Sequence, residues 1–264
     1  MTAPTPDAYF VRTAPQELEA TQHTSGAWNP AEQHIAPVLG LLVHEVVRDL
    51  AVRRPDDGLQ VGRLSFDITG TVPVGHVATS VRVVRPGRTV ELVEATVTHR
   101  SRVVAQLRAW LMAPFETASV AGTHAEPIPS RDEVEPWDAS QVWAGDFIAS
   151  SQVRRREIAP GRGVTWVRTG MPIVEGEETS PVARFAGLLD IANGMTPRVA
   201  PTDWLFPNID LSAHLLRAPV GEWLGLDTRV SFGPGGLGVT ATVLHDDGGL
   251  LGTSTQSLTV RPAR

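Results

Sequence analysis

Hydrophobic and polar residues follow two similar series along the chain, one in each half. Residues 31–53 carry apolar positions at spacings of three and four, which predicts one long helix with a broad apolar face. Residues 181–193 predict a second helix, opened by Ser180 and stopped at Gly194. After each helix, alternation predicts four antiparallel strands. The predicted strands are 64–71, 77–85, 89–99 and 103–112 in the first half, 209–217, 222–232, 237–245 and 251–260 in the second, and shorter extended segments at 9–12, 151–156 and 163–168.

Asn29 and Pro30 mark the start of the first helix, because a capping side chain followed by proline is typical of a helix N-terminus. Each half therefore predicts one apolar helix covered by an antiparallel sheet. This plan, present twice, predicts an α+β fold. Pairing of the two units through their edge strands would form one continuous sheet and protect those edges.

The two halves also repeat short stretches of sequence. Pro73-Val74-Gly75 returns as Pro219-Val220-Gly221, and Val97-Thr98-His99 returns as Val243-Leu244-His245, both after 146 residues. Two matches at one offset within similarly patterned segments indicate duplication of one unit. The first unit is assigned to residues 1–115 and the second to residues 141–264. Residues 116–140, rich in Pro, Glu, Ser and Thr without periodicity, are assigned to a linker.

Composition narrows the class of protein. The chain has 264 residues, a formal net charge of −6, no Lys and no Cys. The negative charge disfavours nucleic acid as a partner, and the absence of Cys excludes disulfides and thiolate chemistry. Residues 1–7 lack the pattern of a signal peptide, and the longest apolar stretch, residues 35–47, is too short and interrupted to span a bilayer. These features predict a soluble cytoplasmic protein without a membrane partner.

A resemblance to a known family rests on the last third of the chain. Residues 208–214 (Asn-Ile-Asp-Leu-Ser-Ala-His), then Trp223-Leu224, then residues 251–256 (Leu-Gly-Thr-Ser-Thr-Gln) followed by Arg261, resemble the C-terminal half of the acyl-CoA thioesterase II (TesB-like) proteins. Residues 10–112 fit the N-terminal half of that group. The resemblance implies a double hotdog fold, in which two tandem units each wrap a sheet around a central helix. It also implies an acyl-CoA thioesterase that forms a homo-oligomer and needs no cofactor, coenzyme A being part of the substrate.

The resemblance also implies three catalytic positions. In that family an Asp, a Thr or Ser and a Gln of the C-terminal unit hold the hydrolytic water, and they fall here on Asp210, Ser231 and Gln256. A carboxylate can accept a proton of that water, while a hydroxyl and a neutral amide fix its position. A helix start would supply N–H groups for the oxyanion, either near residues 29–33 or near residues 181–184. The first is favoured, although Trp28 to Gln33 departs from the Gly-Gly-Gln start of many members.

The predicted substrate-binding residues lie at the beginning of the first helix and along it. Asn29 and Ala31 would border the oxyanion pocket, and Val38, Leu42 and Val46 would line an apolar channel for the acyl chain. No His, Asp and Glu residues stand at metal-ligand spacing, so no metal site is predicted.

The repeat offers a separate test of the three catalytic positions. Subtracting 146 maps them onto Leu64, Arg85 and Trp110, none of which is acidic or neutral polar. This difference between the copies predicts one active site per chain, carried by the second copy and completed by the first.

Other interpretations of these residues stay open. Asp210 could be a solvated residue at a strand start, Ser231 could begin a turn, and Gln256 could belong to a polar strand face. The protein could then be a non-catalytic acyl-binding or small-hydrophobe-binding protein. An enoyl-CoA hydratase is a further alternative, although Asp210 and His214 are four residues apart where hotdog hydratases have five. The Arg run at 154–156 could meet the phosphates of coenzyme A, but a solvated edge strand is the favoured interpretation.

Overall fold

Within residues 7–263, thirteen strands form one antiparallel sheet that packs against two central helices. The structure, a computed structural model, describes this range. Residues 1–6, in which the sequence predicts no signal peptide, and Arg264 lie outside the described residues. No helix in the described part of the chain is long and apolar enough to cross a membrane.

The helices are α1 (Ile35–Arg53), α2 (Asp146–Ala149), α3 (Pro181–Leu189) and α4 (Ala192–Met195). The strands are β1 (Phe10–Ala14), β2 (Glu17–Ala20), β3 (Gln60–Ile68), β4 (His76–Arg85), β5 (Val90–His99), β6 (Arg102–Met112), β7 (Pro136–Trp137), β8 (Ser151–Ala159), β9 (Arg162–Thr169), β10 (Trp204–Leu205), β11 (Asp210–Leu215), β12 (Leu224–Phe232), β13 (Leu237–Asp246), β14 (Gly249–Thr259) and β15 (Arg261–Pro262). The sheet order is β1-β2-β4-β5-β6-β3-β11-β14-β13-β12-β9-β8-β7, and β10 pairs with β15.

Helix α1 begins at Ile35, four residues later than the sequence pattern predicts. Its N-cap is His34, whose Nδ1 accepts a hydrogen bond from the N–H of Ala36 at 3.1 Å. Asn29 does cap a turn, since its Oδ1 accepts from the backbone N–H two residues later at 3.1 Å, but that turn is not continued into the helix. Gln33 instead donates its backbone N–H to the loop after β3. The long-range backbone bond therefore overrides the local start signal.

Helix α3 begins as the sequence predicts and ends earlier. Ser180 is its N-cap and accepts from the N–H of Ala183 at 3.3 Å, with Pro181 in the first turn. The helix stops at Leu189, and after Asp190 the chain turns into the separate short helix α4. The break places Asp190 at the C-terminal end of α3, as its C-cap residue.

The two units join through β3 and β11, as the sequence predicts for a continuous sheet. Ser65 and Ser212 lie opposite each other in this pair, and their Oγ atoms are 3.2 Å apart. The two serines are 147 residues apart in the chain, so this pair lies on the axis that relates the units. Within the predicted linker, strand β7 pairs with β8 and closes the far edge of the sheet.

The structural repeat is 147 residues, one more than the sequence matches indicate. Val93 pairs with Ala109 across β5 and β6, and Thr240 pairs with Gln256 across β13 and β14. All four side chains are buried on the inner face of the sheet. Because side chains alternate between the two faces, a shift of one residue reverses every position. The inner-face counterpart of Gln256 is therefore Ala109, and not Trp110.

Helices α1 and α3 pack against each other at two glycines that are also 147 residues apart, Gly40 and Gly187. A Cβ added at Gly40 would lie 3.1 Å from the Cα of Gly187 and 3.2 Å from the carbonyl oxygen of Ala183. The two helix backbones approach this closely only because Gly40 has no side chain.

Candidate active site

A cavity of about 370 Å³ lies where the two units meet, beside the start of α1 and the end of α3. This volume is at the small end of the range found for ligand pockets. Both units line the cavity. The first unit contributes residues 26–29, 32–35 and 68–72, and the second contributes Trp143, Ile148, residues 190–191, residues 193–195 and residues 207–209.

Asp190 is the buried carboxylate of this cavity, with 4% of its surface exposed. Its Oδ1 accepts a hydrogen bond from the Nδ2 of Asn208 at 2.6 Å. Its backbone carbonyl accepts from the Nε2 of Gln256 at 2.9 Å. Its Oδ2 lies 3.6 Å from the Nδ1 of His34, which is beyond hydrogen-bond distance. One carboxylate oxygen is thus held in place, and the other is left available to a water molecule.

Burial raises the pKa of Asp190 from 3.8 to about 6, and the hydrogen bond from Asn208 partly opposes this rise. Desolvation penalises the charged carboxylate, whereas a donor to the carboxylate favours it. A carboxyl group with a pKa near neutrality is a better proton acceptor than an ordinary aspartate. Such a shifted group in a cavity is also a common sign of a functional site.

His34 comes from the first unit and contacts the same carboxylate. Burial lowers its pKa from 6.5 to about 3, so the ring is neutral above that pH and the contact with Asp190 is not an ion pair. Its Nδ1 accepts from the N–H of Ala36, which places the proton of the neutral ring on Nε2. The ring packs on Phe147 with 4.6 Å between centroids. His34 therefore positions the start of α1 beside Asp190 without neutralising its charge.

The first N–H group of α1, that of Ile35, has no hydrogen-bond acceptor within residues 7–263. Ile35 lines the cavity, and its neighbour His34 is the residue next to Asp190. The N-terminus of a helix carries partial positive charge and unpaired donors, which suit a developing oxyanion. The free N–H of Ile35 therefore lies slightly later in the chain than residues 29–33, where the sequence predicts the oxyanion donor.

Two buried amide oxygens near the cavity lack partners in the described part of the chain, the Oε1 atoms of Gln33 and Gln256. Gln33 lines the cavity and donates its Nε2 to the carbonyl of Pro73 at 2.9 Å. Gln256 is 2% exposed on the inner face of β14. Buried polar atoms are nearly always paired in proteins, so unpaired ones indicate a place for water or ligand atoms.

The opposite wall of the cavity is apolar and aromatic. Trp28 lies 5.0 Å from Trp143 and 5.4 Å from Phe206, both as edge-to-face contacts between ring centroids. Trp28 is 42% exposed, whereas the other two rings are buried, so Trp28 lies at the mouth. A largely apolar pocket with a few convergent polar groups is the usual form of a small-molecule site.

The structure does not bring the three sequence-predicted catalytic residues together. The register of the four strands puts Asp210, Ser257 and Ser231 on the outer face of the sheet, whereas Gln256 points inward. Asp210 accepts instead from the N–H of Ser257 at 2.6 Å, and Ser231 is exposed. The expectation that strand pairing would gather the three is wrong, because neighbouring residues of a strand face opposite sides. Only Gln256 reaches Asp190.

The predicted substrate-binding residues also separate. Asn29 lines the cavity, but Ala31 does not. Val38 and Leu42 are fully buried in the core and line no part of the cavity. Val46 lines a second, smaller cavity of about 270 Å³. The acyl channel expected along α1 is filled by core side chains, since the middle of that helix packs against α3 and the sheet.

The second cavity is the structural counterpart of the first, displaced by 147 residues. It is lined by Val46, Val47, Leu50, Leu59, Gln60, Val61, Leu111, Val182, Ala218 and Pro219. The positions equivalent to Asp190 and Asn208 are Val43 and Val61, so this copy has neither the carboxylate nor its donor. The difference supports one reactive site per chain, although its residues differ from those that the sequence predicts.

Sequence reasoning missed Asp190, His34 and Asn208. Asp190 is the one charged residue in the apolar stretch from Phe185 to Met195, and an unpartnered charge in such a stretch is a detectable signal. It was hidden because the helix was predicted to continue past it. Asn208 begins the stretch 208–214 that carries the family resemblance, but nothing in that stretch indicates that its side chain binds Asp190.

Both halves of the chain match sequence profiles of one family. The profile of the acyl-CoA thioesterase N-terminal domain matches residues 24–112, and that of the acyl-CoA thioesterase C-terminal domain matches residues 123–260. The two helices, the shared sheet and the cavity between the units define a double hotdog protein. The chain belongs to the acyl-CoA thioesterase family. No curated protein matches it.

Solved structures share the fold at low sequence identity. A hot dog fold protein of unknown function from Alicyclobacillus acidocaldarius is similar with a TM-score of 0.75 and 15% identity over 98% of each chain. The tesB protein of Mycobacterium avium subs paratuberculosis gives a TM-score of 0.67 and 15% identity over 96% of each chain. The acyl-CoA thioesterase II TesB2 of Mycobacterium marinum gives 0.65 and 15% over 96% of each. At these identities the similarity shows the fold.

Proposed function

We propose that this protein hydrolyses acyl-CoA thioesters with a water molecule activated by Asp190. The observation that carries the proposal is the buried Asp190 carboxylate of the cavity, with one oxygen held by Asn208 and the other without a hydrogen-bond donor in the described part of the chain. The family match supports thioester chemistry. The alternation of strand faces favours Asp190 over Asp210 as the proton acceptor.

The proposed reaction begins with a water molecule that donates a hydrogen bond to Oδ2 of Asp190. Asp190 takes that proton as the water oxygen attacks the thioester carbonyl carbon. The carbonyl oxygen becomes negative and accepts from the free N–H of Ile35 at the start of α1. The carbon–sulfur bond then breaks, and the proton passes from Asp190 to the leaving sulfur, which gives a carboxylic acid and a thiol.

The acyl group would lie against the apolar wall of the cavity, with Trp28 at its mouth. Gln256 would keep the end of α3 in position, because its Nε2 binds the backbone carbonyl of Asp190. No metal or cofactor is needed for these steps. The absence of a cofactor stays a prediction, as do the homo-oligomer and the cytoplasmic location.

The pH dependence of hydrolysis tests the role of Asp190. Only the ionised carboxylate accepts a proton, and its pKa is raised to about 6. We therefore expect kcat/KM to rise with pH through a midpoint near 6 and to level off above it. The measurement is the initial rate of thiol release between pH 4 and 9, corrected for spontaneous hydrolysis. A midpoint near 4, which is typical of a solvated carboxyl, would contradict the assignment.

Replacement of Asn208, the hydrogen-bond donor to Asp190, tests whether Asp190 is the group that sets the pH profile. Asn208→Ala removes the donor at 2.6 Å that favours the charged form of Asp190. A charge-assisted hydrogen bond contributes about 1.5–3 kcal/mol, so we expect the midpoint of the pH profile to move upward by about one pH unit or more. Asn208→Asp, which adds a negative charge beside Asp190, is expected to move it further upward. An unchanged midpoint in both variants would argue against Asp190 as the titrating group.

The activity itself is tested on a panel of acyl-CoA thioesters of increasing chain length, with thiol release as the readout. A crotonyl-type substrate in the same panel tests the hydratase alternative by loss of enoyl absorbance. The contact between His34 and Asp190 is the observation that supports the hydratase alternative, because a histidine and a carboxylate in one cavity can also direct water to a double bond. Binding without turnover of any thioester or enoyl substrate would favour the non-catalytic acyl-binding protein.

A further inference from the structure

The lining of the cavity contains no Arg, and its charged carboxylates are Glu32 and Asp190. An anionic substrate must therefore find its positive charge outside the cavity wall, on a chain whose net charge is −6. One such group next to the cavity wall is Arg102. A Cβ placed on Gly70, which lines the cavity, would lie 3.9 Å from Nη2 of Arg102.

Arg100 belongs to the two-residue turn between β5 and β6, Arg102 is the first residue of β6, and both are exposed. The start of β6, next to this turn, is fixed to the cavity wall by Thr69. The N–H of Thr69 donates to the carbonyl of Val104 at 3.0 Å, and its hydroxyl donates to the carbonyl of Val103 at 2.7 Å. Within residues 7–263 neither arginine has a carboxylate within 4.0 Å. The guanidinium group of Arg102 thus lies beside a residue of the cavity wall, and Arg100 adds a second unpaired positive charge two residues earlier in the chain.

The backbone of this turn is unusual. Arg100 and Ser101 have φ values of 48° and 63°, and they are the only non-glycine residues with positive φ in the described range. Two-residue hairpin turns of this kind favour Asn and Gly, which tolerate positive φ at lower energy. An arginine at such a position goes against local preference, and backbone strain of this kind is often found at functional segments.

The equivalent turn of the second unit carries the opposite charge. The equivalent turn between β13 and β14 contains Asp247 and Gly248 directly after Asp246. Asp246 pairs with Arg217 at 2.5 Å, and Asp247 pairs with Arg131 at 3.0 Å. The turn beside the carboxylate-free second cavity is therefore acidic and paired, and the turn beside the reactive cavity is basic and unpaired.

We propose that Arg100 in the β5–β6 turn and Arg102 at the start of β6 bind a phosphate of the thioester substrate, in the part of the substrate that carries the pantetheine. The inference rests on the proposed thioesterase function and adds the part of the substrate that is recognised. Guanidinium groups suit phosphate oxygens in charge and geometry. The Arg run at 154–156 is less suited, since Arg154 donates to the carbonyl of Val134 at 2.8 Å and Arg155 stacks on Trp137 at 4.6 Å.

The test compares three thioesters with the same acyl group: acyl-CoA, acyl-4′-phosphopantetheine and acyl-pantetheine, which has no phosphate. In the double variant Arg100→Asn with Arg102→Gln, we expect KM for acyl-CoA to rise roughly tenfold, while KM for acyl-pantetheine stays within about twofold. Asn at position 100 accepts the positive φ, so the turn is expected to keep its shape. A parallel rise for acyl-4′-phosphopantetheine assigns the turn to the phosphate next to pantetheine, and a rise for acyl-CoA alone assigns it to the nucleotide phosphates.

Controls separate charge from structure. The variant with Lys at both positions retains the charge and is expected to recover most of the affinity. Arg88→Gln changes an exposed arginine in the turn at the other end of β5, a ten-residue strand and so about 30 Å away, and should leave KM unchanged. Raised salt should increase KM of the wild type for acyl-CoA more than that of the double variant.

Binding of coenzyme A by calorimetry gives a readout that does not need hydrolysis. If the wild type hydrolyses no thioester, the proposed function fails, but weaker coenzyme A binding by the double variant still supports the phosphate site. Equal effects of the double variant on acyl-CoA and acyl-pantetheine, or unchanged KM and unchanged coenzyme A binding, overturn the inference.

Discussion

Replacement of Asp190 by Asn is expected to reduce kcat by about 10²- to 10⁴-fold while it stabilises the folded protein. Asn has nearly the same shape and can still accept the hydrogen bond from Asn208. It cannot take a proton from water. The loss should therefore appear in kcat, and binding of a non-hydrolysable thioester analogue should be almost unchanged.

The gain in stability follows from the raised pKa. Asp190 titrates near 3.8 when unfolded and at about 6 when folded, so the protonated form is favoured by folding. The contribution of Asp190 to the free energy of unfolding is therefore fully present below pH 3.8 and is lost as the pH rises through 6. The difference corresponds to about 3 kcal/mol, which Asp190→Asn should recover above pH 6 and which should vanish below about pH 4. Urea unfolding at pH 4 and pH 8 measures both limits.

Asp210→Asn is the matched comparison, because the sequence and the structure make opposite forecasts for it. The family resemblance predicts that this variant is inactive. The geometry predicts near wild-type activity, since Asp210 lies on the outer face and binds Ser257. Full activity of Asp190→Asn together with loss of activity in Asp210→Asn would refute the proposed site.

Replacement of Gly40 by Val is expected to destabilise the protein by about 3 kcal/mol. The new Cβ would meet the Cα of Gly187 at 3.1 Å and the carbonyl oxygen of Ala183 at 3.2 Å. Both atoms belong to the backbone of α3 and cannot rotate away. The helices would have to separate, which disturbs the contact that holds the two units' cores together. Thermal unfolding with calorimetry measures the change.

Gly187→Ala at the same crossing is the control. Its Cβ would lie 3.5 Å from the Cα of Gly40 and 3.6 Å from the carbonyl oxygen of Ala36, which are ordinary contacts. Ala also favours the helix over Gly by about 1 kcal/mol, so this variant should be as stable as the wild type or slightly more stable. Equal destabilisation by both variants would show that the closeness at Gly40 is not the cause.

Much of the fold was predictable because hydrophobic periodicity is a local property. The eight strands predicted after the two central helices, and the helices themselves, lie where the alternation and the three-four spacing indicate them, within a few residues. Strand β2 and the short helices α2 and α4 were not predicted, and both central helices differ from the prediction at one end. Residues 31–34 carry good helix signals, but Gln33 and His34 are held by backbone bonds to the loop after β3 and to Thr24. These partners are distant in the chain and invisible to a local pattern.

The repeat shows how small a register error reverses a conclusion. Short sequence matches give 146 residues, whereas strand pairing gives 147. The duplication and the idea of one reactive copy survive the change. The residues compared do not, because a shift of one moves each side chain to the other face of the sheet.

The sequence by itself determined most of the elements, the duplicated α+β plan and the family, since each depends on the order of residue types along short segments. Only the tertiary structure decided that Asp190, and not Asp210, is the buried carboxylate of the cavity. Asp190 becomes a buried group with a pKa of about 6 because α3 ends beside it, Asn208 binds it, and His34 approaches from the other unit. Desolvation and hydrogen bonding of a charge depend on everything packed around it, and those neighbours come from segments far apart in the chain.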